Sequence, residues 1–319
     1  MKLIINIPAY NEEKTIVEVI KNIPSRIEGI DNIEIVVVDD GSIDNTVKRV
    51  QSETNGLVIS HGQNKGVGVA FHTGVDYALK HRADILVNID ADSQFNPLDV
   101  AKIIQPILDN QADFITGSRF INKQFIPGMP GIKLWGNKKV AGLISRLINK
   151  KFYDVSCGFR AFNKEALLNL NLFGQFTYTQ EVFLDLSFKG LRIKEVPINV
   201  RYFVNRQSRV YKGAFHYAIN ILKIILKTMR DYRPLKFFGT IGFVVFLSGL
   251  FFDFFIIIFF IQTGAFTPHK WVGFMGIFLN IIGLIILVLA LVIDMLYRVR
   301  MNQEKILYYQ KKKFYSSKL

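Results

Sequence analysis

Cysteine is nearly absent from this 319-residue chain, with Cys157 its one example. A lone thiol supports neither an intrachain disulfide framework nor a Cys-rich zinc site. Trp135 and Trp271 are the only tryptophans, and the five histidines are scattered, so neither type marks a compact motif. The first residues, Met-Lys-Leu-Ile-Ile-Asn-Ile-Pro-Ala-Tyr, hold too short an apolar run for a signal peptide, and the N-terminal domain is expected in the cytosol. No internal repeat stands out. Gly66-Val67-Gly68 lacks both the third glycine and the following acid of a dinucleotide fingerprint. It reads as a tight helix start with Lys65 beside it.

Acidic charge is also scarce, at 26 Asp and Glu against 40 Lys and Arg, for a net charge of +14. The excess is localised. Residues 204–236 carry eight basic residues and one acid, and residues 298–319 carry seven and one, whereas residues 1–203 sum to only +2. A basic chain suggests nucleic acid, but here each basic block flanks a long apolar run. That placement points to anionic lipid headgroups and the positive-inside rule instead. The runs at 237–261 and 271–296 each exceed the roughly 20 residues that cross a bilayer. The short linker 262–270 is expected outside, with both ends of the pair cytosolic. Asp253 lies within the first run. Three readings of it stay open: a bond to the second span, a bond to a neighbouring subunit of a homo-oligomer, or a tolerated exception. Ahead of the spans, cationic residues recur at steps of three and four on one side of 213–233. This predicts an amphipathic interfacial helix. Residues 298–319 read as a basic cytosolic tail.

The first 212 residues have the composition of a soluble α/β domain. Strands are predicted over 3–7 (broken by Pro8), 34–38, 56–60, 85–89 and 113–116. Helices are predicted over 11–22 with Asn11 as cap, from 44, and over 66–80 and 99–110. Residues 121–132 read as a Gly/Pro-rich loop, and 133–151 as a basic helical stretch. A turn over 154–160 precedes helices at 164–170 and 179–189, and 193–202 reads as an edge strand that tolerates Pro197. Alternating strands and helices, with polar residues at strand C-terminal ends, imply an open, mostly parallel sheet with its ligand at that edge.

The most informative stretch is Asp84-Ile-Leu-Val-Asn-Ile-Asp90-Ala-Asp92-Ser-Gln94. Its apolar run fits a central strand covered on both faces. Asp90, Asp92 and Gln94 then offer oxygen donors on alternate residues, which an extended segment turns to one side, toward one hard cation. The bland alternative is an acidic cap facing water.

Pro8-Ala-Tyr10-Asn11-Glu12, Val38-Asp39-Asp40-Gly-Ser, Asp90-Ala-Asp92-Ser-Gln94 and Gly117-Ser118-Arg119 occur together in the order and spacing of family-2 glycosyltransferases with the Rossmann-like A-type fold. Over about residues 1–210 the chain most resembles the polyprenyl-phosphate branch, which includes dolichyl-phosphate mannosyltransferase. The resemblance implies a nucleotide-sugar donor, GDP- or UDP-linked, and a divalent cation, Mg2+ or Mn2+, at Asp90, Asp92 and Gln94. It implies that Pro8, Tyr10, Glu12, Val38, Asp40, Asp90 and Ala91 line the nucleotide, with Arg209 closing over the diphosphate. For the acceptor phosphate it points to Arg119 and, at the family's spacing but with different residues, to Lys133 and Asn137. Glu181 falls near a recurrent family acid, with a helix-cap role equally open. Asp90, Asp92 and Arg119 are the expected catalytic residues.

No histidine stands out as a general base. A polyprenyl phosphate explains that, because its oxygen is already anionic at neutral pH, whereas a sugar hydroxyl would need a base. The expected reaction is inverting transfer of a sugar to a polyprenyl phosphate at the cytosolic membrane face. Two rivals remain open. A processive polysaccharide synthase would show Gln-x-x-Arg-Trp, and neither tryptophan stands in that setting. A silent nucleotide-sugar-binding scaffold would not need Asp90, Asp92, Gln94 and Arg119 intact.

Overall fold

The computed structural model describes residues 1–121, 131–171, 178–201, 223, 226–227 and 229–316, with backbone alone at Ile132, Lys133, Tyr178 and Ser316. Arg209, most of the 121–132 loop and most of the helix expected over 213–233 lie outside the described residues. The chain divides into two compact units, Met1–Ile221 with Tyr308–Leu319, and Leu222–Leu307.

The first unit is built on a seven-stranded sheet. Its strands are β1 (Lys2–Ala9), β2 (Asn32–Asp39), β3 (Leu57–Ser60), β4 (Ile85–Asn88), β5 (Phe114–Ser118), β6 (Arg160–Asn163) and β7 (Ile193–Pro197), in the order β3-β2-β1-β4-β6-β5-β7. All pairings are parallel except those of β6, which runs antiparallel to both β4 and β5. The helices are α1 (Ile16–Lys21), α2 (Thr46–Glu53), α3 (Val67–Lys80), α4 (Val100–Leu108), α5 (Gly131–Ile148), α6 (Lys164–Asn169) and α7 (Tyr178–Phe188). Side chains of a strand alternate between faces, and both faces of β1 are apolar. Leu3, Ile5 and Ile7 join a core with Val19 of α1 and Ile103 of α4. Ile4 joins the opposite core with Phe71 of α3 and Phe183 of α7. Burial on both faces explains the continuous apolar runs.

Three local readings change. Pro8 does not end β1, because β4 pairs only with Leu3–Asn6 and the strand has outrun that neighbour by residue 8. Asn11 does not cap a helix. It sits at a left-handed φ of 54°, and α1 begins after Thr15. Its backbone N–H donates to Ser42 Oγ at 2.9 Å, and its Oδ1 accepts from Ile43 N at 2.9 Å, so it ties two loops of the sheet edge together. The turn expected over 154–160 leads into β6, a strand the sequence reading missed. β7 lies at the sheet edge, which accommodates Pro197.

The second unit consists of α8 (Pro234–Thr263) and most of α9 (Lys270–Ser316), both long and apolar enough to cross a membrane. They pack closely: a Cβ on Gly283 would lie 2.6 Å from Phe246 N, so the backbones meet there. Asp253 accepts a hydrogen bond from Asn280 Nδ2, which gives that carboxylate a partner on the second helix of its own hairpin. The break expected at residue 298 does not occur, since α9 continues to Ser316. The end of this basic stretch packs on the first unit to which it belongs. Lys311 Nζ donates to Leu170 O at 2.8 Å and Asn171 Oδ1 at 2.9 Å, while Tyr308 and Tyr315 pack on the α3/α6/α7 core.

Candidate active site

The C-terminal ends of β1, β2, β4 and β5 open on one edge of the sheet, and antiparallel β6 begins there. Asp90 and Asp92 lie just past β4, in a turn where Ser93 takes a φ of 56°. The Gln94 backbone N–H donates to Asp92 Oδ1 at 3.1 Å, and Gln94 O accepts from Arg201 N at 2.9 Å, next to an antiparallel Phe95–Val200 bridge. This pins the acid loop on both sides. Burial, and then the neighbouring Asp92 carboxylate, push Asp90 up to about 7, against the pull of Arg160 and Arg119. Two hard carboxylates that repel in a low-dielectric setting suit a divalent cation. Among the described residues no three His, Cys, Asp or Glu cluster in one place.

Asp90 rests on a platform built by the turn that carries Gly158 and by its neighbours. Gly158 faces it so closely that a Cβ there would lie 2.5 Å from Asp90 Oδ2. Asn6 Nδ2 donates to Asn88 Oδ1 at 2.7 Å, and Asn88 Nδ2 donates to Gly158 O at 3.2 Å, which links β1, β4 and the 158 turn. Below lies Arg160, fully buried, its Nε on Cys157 O at 2.7 Å, its Nη2 on Val155 O at 3.1 Å and its Cζ 5.5 Å from the Phe114 ring centroid. Carbonyls and a ring face hold the guanidinium as a fixed positive charge beneath the acids. Gly158→Ala is therefore expected to lower turnover about 10²-fold by displacing the Asp90 carboxylate, the size of loss a misplacement of about 1 Å brings. Steady-state kinetics beside a thermal melt checks this: unaltered turnover, or a loss that merely follows unfolding, would show that this close approach has no catalytic weight.

Arg119 is tied to the protein through Asp154. The fork assigned to a phosphate is directed at Asp154: Nε to Oδ2 at 2.6 Å and Nη2 to Oδ1 at 2.9 Å, with Nη2 also 2.8 Å from Ser156 Oγ. Burial pushes the Asp154 carboxyl up, but the Arg119 charge and hydrogen bonds outweigh it and bring it below the ordinary carboxylate range. Ser156 Oγ donates to Asn137 Oδ1 at 3.4 Å, so Asn137 of α5 does reach the Arg119 cluster. Lys133 lies one turn earlier on α5, with its backbone alone described. Glu195 of β7 holds the same turn, accepting the backbone N–H groups of Tyr153 at 2.9 Å and Asp154 at 2.7 Å. Burial raises the Glu195 carboxyl to about 7 despite those donors. Cys157 is buried, and burial followed by the Asp154 charge pushes its thiol up to about 12, so it stays a protonated packing residue.

The expected nucleotide residues collect along the β1 and β2 ends. Pro8 pairs with Val38 in the ladder, and the Asp40 backbone N–H donates to Ala9 O at 2.8 Å. Val38 and Ala91 are buried in core clusters, so their side chains pack inward. Tyr10 and Glu12 are half-buried, and Glu12 Oε2 accepts from Thr15 Oγ1 at 3.1 Å. Asp40 has protein partners on both carboxylate oxygens. Its Oδ1 meets His61 Nδ1 and Lys65 N, each at 2.9 Å, and its Oδ2 accepts from Gly66 N at 2.8 Å. It thus organises the loop before α3. His61 Nε2 meets Thr73 Oγ1 at 2.9 Å, so both ring nitrogens are engaged. Glu181 is half-buried in the first turn of α7.

A Rossmann-like mixed sheet with an acid pair past its central strand is the framework of an A-type glycosyltransferase. The model of "Glycosyl transferase family 2" matches residues 4–170. The UDP-N-acetylglucosamine--dolichyl-phosphate N-acetylglucosaminyltransferase of Methanococcus voltae is 37% identical over 61% of this chain and 84% of that protein. The dolichol-phosphate mannosyltransferase of Pyrococcus furiosus is 29% identical over 70% of this chain and 64% of its own. In fold, the chain is similar to glucosyl-3-phosphoglycerate synthase from Mycobacterium tuberculosis, solved with Mn2+, UDP and glucosyl-3-phosphoglycerate. That match has a TM-score of 0.55 at 23% identity and covers 72% of this chain and 79% of the other. The chain belongs to glycosyl transferase family 2.

Proposed function

We propose that this glycosyltransferase moves a sugar, with inversion, from a GDP- or UDP-linked donor to a polyprenyl phosphate at the cytosolic face of a membrane. The observation that carries this reading is the state of His61. The one histidine at the donor edge has both nitrogens engaged, by Asp40 and Thr73, and so is poorly placed to take a proton from an acceptor hydroxyl. A phosphate monoester arrives already anionic and needs no base. The dolichyl phosphate in the name of the Methanococcus voltae relative supports the same acceptor class, and two helices able to cross a bilayer suit a lipid substrate.

Asp90, Asp92 and Gln94 are the residues that would hold a divalent cation, which when bound supplies Lewis-acid neutralisation of the departing diphosphate. Pro8, Tyr10 and Glu12 line the nucleotide, Val38 and Ala91 shape its floor from the core, and Arg209 meets the diphosphate. An acceptor phosphate oxygen attacks the anomeric carbon in line as the bond to the nucleoside diphosphate breaks, with no covalent enzyme intermediate. Arg119, held by Asp154, contributes a fixed positive field to this edge rather than a two-point clamp. Lys133 and Asn137, one turn apart on α5, complete the acceptor side.

Two measurements test the reading. Purified protein is screened with a panel of nucleotide sugars on undecaprenyl and dolichyl phosphate, with and without EDTA; transfer to water or a free sugar alone would overturn it. Lys133→Ala should raise the KM for polyprenyl phosphate several-fold while the donor KM holds, because it removes only an acceptor contact. Lys133→Arg should be tolerated, since a fork suits phosphate. A change in donor KM with an unaltered acceptor KM would assign α5 to the donor instead.

A further inference from the structure

Behind the acceptor side of the site stands a carboxylate that the chemistry above does not use. Glu195 lies in the middle of the edge strand β7, half-buried and in register with Thr116 of β5. Its Oε1 accepts the backbone N–H groups of Tyr153 at 3.1 Å and Asp154 at 2.7 Å, and its Oε2 accepts the Tyr153 N–H at 2.9 Å. Residues 151–159 belong to no helix or strand, so these bonds stand in for a ladder at 153 and 154. What the turn carries is the carboxylate that orients Arg119. Asp154 Oδ2 meets Arg119 Nε at 2.6 Å, Oδ1 meets Nη2 at 2.9 Å, and Ser156 N donates to Oδ1 at 3.2 Å. A shift of the 153–154 backbone takes the Asp154 carboxylate with it, and the guanidinium follows. A misplacement of about 1 Å set up far from the reacting atoms costs about 10²-fold in rate.

We propose, on the reading that the acceptor is a phosphate, that Glu195 is a positioning residue for the acceptor side. By holding the Tyr153–Asp154 backbone it places the Asp154 carboxylate, and through it the Arg119 charge that the acceptor phosphate meets. The arrangement also makes that side sensitive to protonation. Burial, and with it the Asp154 charge, raises Glu195 to about 7 against the pull of the two N–H donors. Asp154 and its partner Arg119 are the charged pair in the turn that Glu195 holds. The lysines nearby in sequence are engaged elsewhere: Lys194 Nζ on Gln111 Oε1 at 2.8 Å, Lys150 Nζ on Ile193 O at 3.0 Å, and Lys151 Nζ at 5.0 Å from the Tyr153 ring centroid. On the β5 side the register places Thr116 and Ser118, neither of them charged. Protonation turns one carboxylate oxygen into a donor and removes the charge that strengthens both bonds, so the hold on the turn weakens.

Glu195→Gln fixes the protonated pattern at every pH with little change of shape. Acceptor and donor KM are measured for the full-length wild-type and variant enzymes with polyprenyl phosphate, at about pH 8 and about pH 6, to either side of the Glu195 value. The variant's acceptor KM is expected to exceed the wild-type value severalfold at the higher pH. The ratio should approach one at the lower pH, with the donor KM ratio near one at both. Titration of Asp90 or of the lipid phosphate acts on both enzymes alike and cancels in the ratio. Hydrogen–deuterium exchange of residues 150–158 reads the turn without substrate, and should be faster in the variant at the higher pH only. Equal acceptor KM values at the higher pH, a ratio that ignores pH, or a donor KM that moves in step overturns the proposal. So does an acceptor KM that falls in the variant, which would make Glu195 a repelling charge. Unaltered exchange at the higher pH removes the hold on the turn, whatever the kinetics. If the wild type transfers no sugar to polyprenyl phosphate while the exchange difference holds, the acceptor reading falls and the placing of Asp154 by Glu195 stands.

Discussion

Asp92→Ala and Asp90→Asn should each lower sugar transfer by about 10²–10³-fold or more, the scale on which preorganised charge stabilisation acts, and leave the catalytic domain folded. The expectation of an intact fold has a structural basis. Asp92 is half-buried in a loop, where it accepts the Gln94 N–H two residues on. Asn at position 90 keeps the shape of the side chain and removes one of two repelling charges, so the platform of Gly158, Asn88 and Arg160 should tolerate it. Product formation under saturating donor, beside circular dichroism and Mn2+ binding by calorimetry, separates the possibilities. Near-normal turnover in EDTA, or in Asp92→Ala, would remove the cation from the proposed chemistry. Loss of activity with loss of fold would move these acids from function to structure.

Asp154→Ala should be the most destabilising single change at the site, at about 3–5 kcal/mol. Asp154 is fully buried and Arg119 nearly so, at 0% and 12% side-chain exposure, so the truncation takes from a nearly buried guanidinium the carboxylate that its fork meets. It also removes the acceptor for the Ser156 and Arg119 backbone N–H groups. The measurement is the shift of the catalytic domain's unfolding transition in detergent. Replacing both partners, Asp154→Leu with Arg119→Met, should restore most of that stability, because an apolar pair of similar volume avoids the desolvation cost. Transfer should stay low in the double variant, since the positive field at the acceptor side is gone. A stable and fully active double variant would reduce the pair to packing.

The parallel half of the sheet was legible because each of its strands is a short apolar run closed by polar punctuation, as in Val36-Val37-Val38 before Asp39-Asp40-Gly41. β6 was not, and the reason is Arg160. A strand of four residues that opens on a charged group reads as loop, and only the assembled fold reveals the two carbonyls and the ring that make its burial tolerable. The acid loop was legible in the same way as the strands, since its chemistry lies within five consecutive residues. The partners of Asp40, Arg119 and Asp154 were not. His61 reaches Asp40 because β3 is in register with β2, and Glu195 reaches the 153–154 backbone from 41 residues further on. Residue types alone pointed to the sheet edge for Asp40 and Arg119, but their protein partners there come from packing. The partner of Lys311 was hidden for a similar reason, since Leu170 O lies 141 residues earlier in the chain.

The antiparallel insertion of β6 also has a consequence for the order of assembly. Asp90 and Asp92 leave the ribosome well before the strand that separates β4 from β5. A nascent chain that ends after α5 already contains both carboxylates and all of β1 to β5. It lacks Gly158 and Arg160, and β5 has nothing to pair with on the side facing β4. The pairs Ile85–Asn163 and Phe114–Phe162 close loops of very different length, and non-local pairing of this kind is paid late in folding. The catalytic edge is thus complete only once β6 joins β4 to β5 and brings Gly158 and Arg160 to the acid pair.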